Sequence, residues 1–134
     1  MSVQYSTAVR NAIVDAIPTA MGANMILRFY TGTQPANCAT AEAGTLLASW
    51  TLSSGWNASS GGSKSLAAVP LSATGASTGT VGHYRFYDST GTTCHEQGTV
   101  TNTGGGGDMT IDNNSIVSTQ TVQITGYTKT APGA

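Results

Sequence analysis

The chain has 134 residues and a formal net charge of −1 at pH 7, and only 8% of its residues are charged. Ordinary globular domains contain about 25% charged residues, so this surface must be polar mainly through hydroxyl and amide groups. A net charge so close to zero provides no electrostatic field that attracts nucleic acid or an anionic membrane, and this disfavours both as partners. A near-neutral free monomer tends to associate, and this favours a component of a larger assembly.

Neither a membrane span nor a signal peptide is predicted. No run approaches the ~18–20 apolar residues that cross a bilayer. Arg10 and Asp15 interrupt the apolar residues near the N-terminus before these reach the length of a signal-peptide core. We therefore expect a protein that is made in the cytoplasm, is not exported through the secretory route, and folds as one domain over residues 1–134.

The first predicted element is a helix over residues 6–17. Apolar residues recur there at the i, i+3/i+4 spacing of an amphipathic stripe, and Pro18 is expected to end the helix or to break it just beyond. Arg10, Asn11 and Asp15 lie off the stripe and are expected in solvent. The stripe could dock on the protein's own core or on a neighbouring protein. It consists of Ala8, Val9, Ala12, Ile13, Ala16 and Ile17.

Two later segments, both predicted to be strands, have nearly the same sequence. Residues 27–30 and 84–87 both contain Arg-Phe-Tyr, and each strand is followed by a small-residue loop and a cysteine, Cys38 and Cys94. Alternation along a strand places successive side chains on opposite faces. We predict two equivalent strands with a core face and an outer face. The core face carries Leu27, Phe29, Tyr84 and Phe86, and the outer face carries Arg28, Tyr30, Arg85 and Tyr87.

Further strands follow at intervals of roughly 8–12 residues, which is typical of an antiparallel sandwich or barrel. The glycine run 104–107 is predicted to be a hairpin loop. The whole pattern predicts a mainly β fold, an antiparallel β-sandwich of jelly-roll or related Greek-key type over 25–128, with a flexible tail over 129–134. The other predicted strands are 45–52, 64–71, 93–101, 109–111 and 121–128.

Few residues could support catalysis, metal binding or cofactor binding. His83 and His95 are the only histidines. Cys94, His95 and Glu96 are adjacent, but neighbouring residues in a strand point to opposite faces, so His95 cannot serve Cys94 as a base. No spacing typical of zinc ligands occurs, and the glycine run is not followed by the residues of a phosphate-binding loop. The sequence therefore predicts a protein that is not an enzyme and that holds no metal or cofactor.

The outer face of the twin strands is the best candidate for a binding surface. Arginine and tyrosine are favoured in interface cores, and guanidinium groups can lie over phenol rings. The alternative is that these side chains only support one another or cover the helix. Trp56, in a Ser/Gly-rich loop, is either a lid on the core or a contact anchor. Cys38 and Cys94 are either a thiol pair or two separate buried thiols. The interface candidates are Arg28, Tyr30, His83, Arg85, Tyr87 and Trp56.

Several segments together resemble small virion proteins of tailed bacteriophages. The resemblance spans most of the chain, and its motifs are structural rather than catalytic. The segments are Val9–Ile13, Leu27–Gly32, Gln34–Cys38, Gly79–Asp88, Gly91–His95, Gly107–Asn113 and Gln120–Val122.

Proteins of this kind are similar to the cement or decoration proteins that bind the outside of an HK97-type capsid shell. The resemblance implies a structural protein of the virion surface that clamps neighbouring capsomers. Its partners would be the major capsid protein and further copies of itself, as a dimer or trimer. The alternative is a tail, baseplate or fibre module that binds a host surface glycan. The resemblance assigns no functional residue.

Overall fold

The computed structural model describes residues 3–134 and begins with one helix, α1, at Thr7–Met21. Ser6 caps it, because its Oγ accepts a hydrogen bond of 3.3 Å from the Val9 backbone N–H. The predicted end at Pro18 is wrong. Helix α1 continues through Pro18 to Met21, and Gly22 then caps it, with a φ of 78° and a hydrogen bond of 3.0 Å from its N–H to the Pro18 carbonyl.

The rest of the described chain is mainly β, and the predicted combination of β structure with one helix is confirmed. Several of the strands are only two to four residues long. They are β1 (Met25–Thr31), β2 (Leu46–Leu52), β3 (Ser63–Ser65), β4 (Leu71–Thr74), β5 (Gly79–Tyr87), β6 (Cys94–Asn102), β7 (Met109–Ile111), β8 (Ser115–Ile116), β9 (Thr121–Ile124) and β10 (Thr128–Thr130).

The main sheet has six strands in the order β2-β1-β5-β6-β7, with β8 paired to one end of β5. Two small sheets accompany it, β10 with β3 and β4 with β9. The main sheet is mixed and curls like half a barrel, so the two-sheet sandwich predicted from the strand spacing is not confirmed.

The twin strands β1 and β5 are antiparallel neighbours, and Arg28 lies directly opposite Arg85. The predicted core face is confirmed, since the side chains that it was expected to carry are buried. Residues of the small sheet β4–β9 join the same core, and Leu66 and Tyr127, which adjoin β3 and β10, also pack there, which explains how such short strands are held. The central members of this core are Leu27, Phe29, Leu47, Trp50, Leu66, Tyr84, Phe86, Val122 and Ile124.

The connection between β6 and β7 is not a hairpin. The two strands are parallel, with Val100 opposite Met109. A parallel pair normally needs a much longer crossover. Here the glycine run curls back against Thr101, and a Cβ added at Gly105 or Gly107 would lie 2.8–2.9 Å from its side chain. Glycine at these positions makes the short parallel return possible.

The C-terminal residues are not the free tail that the sequence predicts over 129–134. Strand β10 pairs with β3, and the Ala131 N–H donates to the Gly62 carbonyl at 2.8 Å. The Ala131 side chain is buried. The Tyr5 N–H donates to the Gly133 carbonyl at 2.8 Å, so the two ends of the described chain meet.

Candidate functional site

A loop over residues 32–44, the covering loop, lies over the Arg/Tyr face of the twin strands. Its base is closed between Thr31 and Thr45: the Thr31 N–H donates to the Thr45 carbonyl at 3.1 Å, and the Thr45 N–H donates to Thr31 Oγ1 at 2.9 Å. Small residues fill the loop, which lets its backbone carbonyls approach the sheet closely. The face that the sequence predicted to be outward is therefore roofed by the chain's own backbone.

Arg85 holds the covering loop to the sheet. Its guanidinium is 1% exposed and donates from Nη2 to the carbonyls of Cys38 and Thr40, both at 2.9 Å. Its Nη1 donates to the Tyr87 hydroxyl at 3.4 Å. Three ion pairs occur within residues 3–134, and Arg85 belongs to none of them. Carbonyl dipoles and a phenol oxygen therefore carry the task of stabilising this buried charge.

His83 and Gln97 fasten the first part of the covering loop. His83 Nδ1 is hydrogen-bonded to the Gly32 carbonyl at 2.9 Å, and Gln97 Nε2 donates to the Pro35 carbonyl at 2.6 Å. The His83 ring is fully buried and stacks on the Tyr30 ring with 5.3 Å between centroids. Burial, together with the nearby Arg85 charge, lowers the pKa of His83. A neutral imidazole that donates from Nδ1 to a carbonyl is the state that fits this geometry.

Glu42 fastens the far end of the covering loop. Its Oε2 accepts hydrogen bonds from the hydroxyls of Tyr30 and Tyr87, the latter at 3.3 Å, and lies 3.8 Å from Arg28 Nη1. Burial, followed by the hydrogen bond to Glu42, raises the pKa of Tyr30 well above its usual range. The Arg28 guanidinium lies 4.9 Å from the centre of the Tyr87 ring, a cation–π contact.

The structure thus brings together the predicted Arg/Tyr cluster but not on an open surface. Tyr30, His83, Arg85 and Tyr87 are buried, and the Arg28 side chain alone among them is partly exposed, at 25%. The expectation that this face is exposed is wrong because the covering loop, which reads as an ordinary polar surface loop, supplies carbonyls and a carboxylate to these side chains.

Both cysteines line one cavity of about 240 Å³ beneath the covering loop. Cys38 belongs to the loop and Cys94 begins β6, and both are free thiols. Burial, and then the hydrogen bond with the Cys38 thiol, raises the pKa of Cys94 to about 11. The matched positions of the two cysteines in the sequence repeat thus correspond to thiols that lie together.

Helix α1 docks on the body through its polar face. Arg10 donates to the carbonyls of Gly61 and Ala131 at 3.2 and 3.1 Å, and Asn11 Oδ1 accepts from the Gly62 N–H at 2.7 Å. Asp15 pairs with Lys64 at 2.8 Å, and hydrogen bonds from Lys64 and Ser59 lower the pKa of Asp15. The expectation of solvated side chains is therefore wrong for Arg10 and Asn11, whereas the Asp15 side chain is 46% exposed although it pairs with Lys64. Backbone groups of the loop before β3 and of the C-terminal segment need partners, and Arg10 and Asn11 provide them.

Part of the apolar side of α1 is left open, although Val14 and Met21 are buried and Ile17 packs against the core. Val9 is 44% exposed and Ile13 is 36% exposed, one helical turn apart, and we name this pair the outer stripe. Tyr5, just before the helix, is 45% exposed. The apolar periodicity of α1 is evident from the sequence. The sequence does not reveal that Arg10 and Asn11 on the polar face turn inwards.

A groove of about 470 Å³ runs beside the outer stripe, between α1, the first part of β6 and β10. At its floor, Glu96 Oε2 accepts hydrogen bonds from the hydroxyls of Tyr84 at 2.6 Å and Tyr127 at 2.8 Å, while Oε1 lies 2.7 Å from Lys129 Nζ. Burial and the Glu96 charge raise the pKa of both phenols. This carboxylate is fully engaged by the protein's own groups, so its role in the structure is to join β5, β6 and β10. No pattern in the sequence points to this cluster.

Trp56 is half-buried and acts as a lid on the core. Its ring centre lies 5.7 Å from that of Phe86 and 6.0 Å from that of Tyr127, and its Nε1 donates to Met25 Sδ at 3.3 Å. One edge also lines a shallow depression with Asp15 and Lys64.

Within the part of the chain that the structure describes, no group of three or more His, Cys, Asp or Glu side chains is placed to bind a metal ion. Helix α1 is too short and insufficiently apolar to span a membrane, and it is the one helix in residues 3–134. The chain matches no protein-family model, no curated protein and no solved structure.

Proposed function

We propose that the protein is a non-enzymatic structural component of a bacteriophage virion. In this proposal it is a capsid cement or decoration protein, which binds the outside of an HK97-type head shell and clamps neighbouring capsomers. Its partners are the major capsid protein and other copies of itself, as a dimer or trimer. The capsid assignment rests on the sequence resemblance to small virion proteins of tailed phages.

The observation that carries the proposal is the orientation of α1. A helix on a free-standing protein normally turns its apolar side to the core. Here Arg10 and Asn11 dock the helix together with the buried Val14, and Val9 and Ile13 remain open to solvent. Exposed aliphatic side chains on a body with so few charges favour a surface that another protein covers.

The remaining structure supports a clamp rather than a catalyst. The Arg/Tyr cluster is occupied by the covering loop, and the Glu96 carboxylate by two tyrosines and a lysine. Both clusters cross-link separate segments, which suits a protein that must resist strain between capsomers. We also retain the jelly-roll or Greek-key sandwich as part of this proposal, because the small sheet of β4 and β9 packs its apolar side chains in the same core as the main sheet.

The second candidate is a tail, baseplate or fibre module that binds a host surface glycan. It is favoured by the depression of about 570 Å³ in which Trp56 lies beside Asp15 and Lys64. Aromatic side chains next to charged groups can stack on and hydrogen-bond a sugar. Against it, the carboxylate and the ammonium already pair with each other at 2.8 Å.

Cryo-electron microscopy of the particle that carries the protein separates the two candidates. A cement protein is expected at every equivalent position of the shell, on the order of hundreds of copies, with α1 turned towards capsomers or a second copy. About a dozen copies or fewer, confined to the tail, would contradict the capsid proposal and support the second candidate.

A further inference from the structure

Two thiols from distant parts of the sequence share one small cavity. Cys38 lies in the covering loop and Cys94 at the start of β6, and both line the cavity of about 240 Å³ beneath the loop. Arg85 connects them: its Nη2 donates to the Cys38 carbonyl at 2.9 Å, and Arg85 itself lines the same cavity. The two cysteines therefore line one cavity at a position where Arg85 already fixes the loop to the sheet, and Cys94 Sγ also donates to the Glu96 carbonyl at 3.4 Å.

We propose that Cys38 and Cys94 form a latent disulfide that ties the covering loop to β6 when the protein meets an oxidising environment. The proposal is independent of the function proposed above, since it rests on the relation between the loop and the sheet. It assigns the loop two states: one held by hydrogen bonds alone, and one closed by a covalent bond.

The reaction is a thiol–disulfide exchange with a small disulfide such as oxidised glutathione. The Cys38 thiolate attacks one sulfur of oxidised glutathione, which forms a mixed disulfide and releases one glutathione thiolate. Cys94 then gives its proton to solvent, and its thiolate attacks Cys38 Sγ and expels the second glutathione thiolate. Two protein thiols are oxidised to one disulfide, and one molecule of oxidised glutathione is reduced to two of glutathione.

The surroundings of the two thiols fit these roles. Cys94 remains a thiol at neutral pH, because burial and the neighbouring Cys38 raise its pKa to about 11. In this proposal the loop cysteine reacts with the external disulfide, and the sheet cysteine that shares its cavity resolves the adduct. The Arg85 charge favours the Cys94 thiolate during the second step, so Arg85 acts as a positioning residue.

The test is equilibration of the native protein with mixtures of reduced and oxidised glutathione at pH 8, followed by acid quenching and mass spectrometry. The expected product is a monomer lighter by about 2 Da, with one peptide linking Cys38 to Cys94 and no retained glutathione. Its Tm should exceed that of the reduced protein by about 5 °C or more, and a reductant should reverse the change. A product that carries only glutathione adducts or intermolecular disulfides would overturn the proposal.

A matched variant tests whether the cavity positions the two thiols or whether motion of the covering loop alone brings them together. In Cys38→Ser combined with Ala36→Cys, the protein keeps two thiols in the same two segments, but the loop thiol starts from an exposed position outside the cavity. To form its intramolecular disulfide, this variant should need a ratio of oxidised to reduced glutathione that is at least about tenfold higher than the wild type needs. Equal ease of oxidation in the two proteins would show that the cavity does not position the thiols, and the proposal would fail. A urea-unfolded sample is the reference, because it shows how much disulfide forms when no structure positions the thiols.

Discussion

The Arg/Tyr face of the twin strands and the outer side of α1 are opposites in composition and in exposure. The first is rich in charged and hydroxyl groups, yet Arg85 is 1% exposed and His83 fully buried. The second is aliphatic, yet Val9 is 44% exposed. The comparison shows that burial in this chain follows the backbone groups that need partners. Arg85 and Arg10 turn inwards where loops present carbonyls, and Val9 and Ile13 stay outside on α1, although Val14 of the same helix is buried.

The largest effect is expected at the buried arginine of the first region. Arg85→Met keeps the length of the side chain but leaves the carbonyls of Cys38 and Thr40 without a donor, so we expect the free energy of unfolding to fall by about 3 kcal/mol. Arg28→Met is the matched control. Its guanidinium is partly exposed and makes one long hydrogen bond of 3.4 Å, so the loss should stay near 1 kcal/mol. Urea denaturation measures both, and equal losses would contradict the different roles.

A smaller effect is expected where α1 docks. Arg10→Met removes the hydrogen bonds to the carbonyls of Gly61 and Ala131, and should lower the free energy of unfolding by about 1–2 kcal/mol. The helix should then detach before the sheet unfolds. Limited proteolysis would detect this as cleavage within residues 7–21 at protease concentrations that leave the wild type intact. An uncut helix in the variant would show that the polar face does not hold it.

The pH dependence of the free energy of unfolding should reflect the protonation of His83. Because burial lowers its pKa in the folded protein, the unfolded state binds more protons once the pH falls below about 6.5, so the free energy of unfolding should decrease as the pH falls below that value. Chemical denaturation at pH 5.0 to 7.5 checks this. His83→Gln should flatten the profile over this range, whereas His95→Gln should keep the slope. A profile unchanged by His83→Gln would contradict a buried neutral imidazole.

The smallest effect on stability is expected at the outer stripe. Val9→Ser with Ile13→Ser should change the free energy of unfolding by only about 0.5 kcal/mol for each substitution, because both side chains are already open to solvent. Thermal unfolding compares this variant with Ala8→Ser combined with Ala12→Ser, which places two serines at exposed positions of the same helix. A loss of several kcal/mol specific to the stripe would mean that these residues pack within the monomer.

Much of the local structure could be predicted from the sequence. Period-two alternation identified the core face of β1 and β5, and the repeated Arg-Phe-Tyr marked two equivalent strands, which the structure pairs side by side. The matched cysteines suggested a shared location. These features depend on short-range periodicity and on side-chain volume, which a sequence displays directly.

The remaining features depend on which backbone groups are left without partners, and a sequence does not display these. Residues 32–44 read as a solvated loop, yet their carbonyls bury Arg85. The apolar stripe of α1 is typical of a core face. In the structure, however, Arg10 and Asn11 turn inwards because they hydrogen-bond backbone groups at and beside Gly62. Likewise, the glycine run reads as a hairpin, but its contacts with Thr101 return the chain in parallel.

The most direct test of the proposed function is the binding of the outer-stripe variant to DNA-free shells assembled from the major capsid protein of the same phage. Shell-bound protein is quantified after sedimentation for the wild type, for Val9→Ser with Ile13→Ser, and for the control Ala8→Ser with Ala12→Ser. We expect the stripe variant to lose at least about tenfold in affinity, a difference of 1.4 kcal/mol, while the control binds like the wild type. Undiminished binding of the stripe variant would contradict the assignment of α1 as the capsid-facing surface.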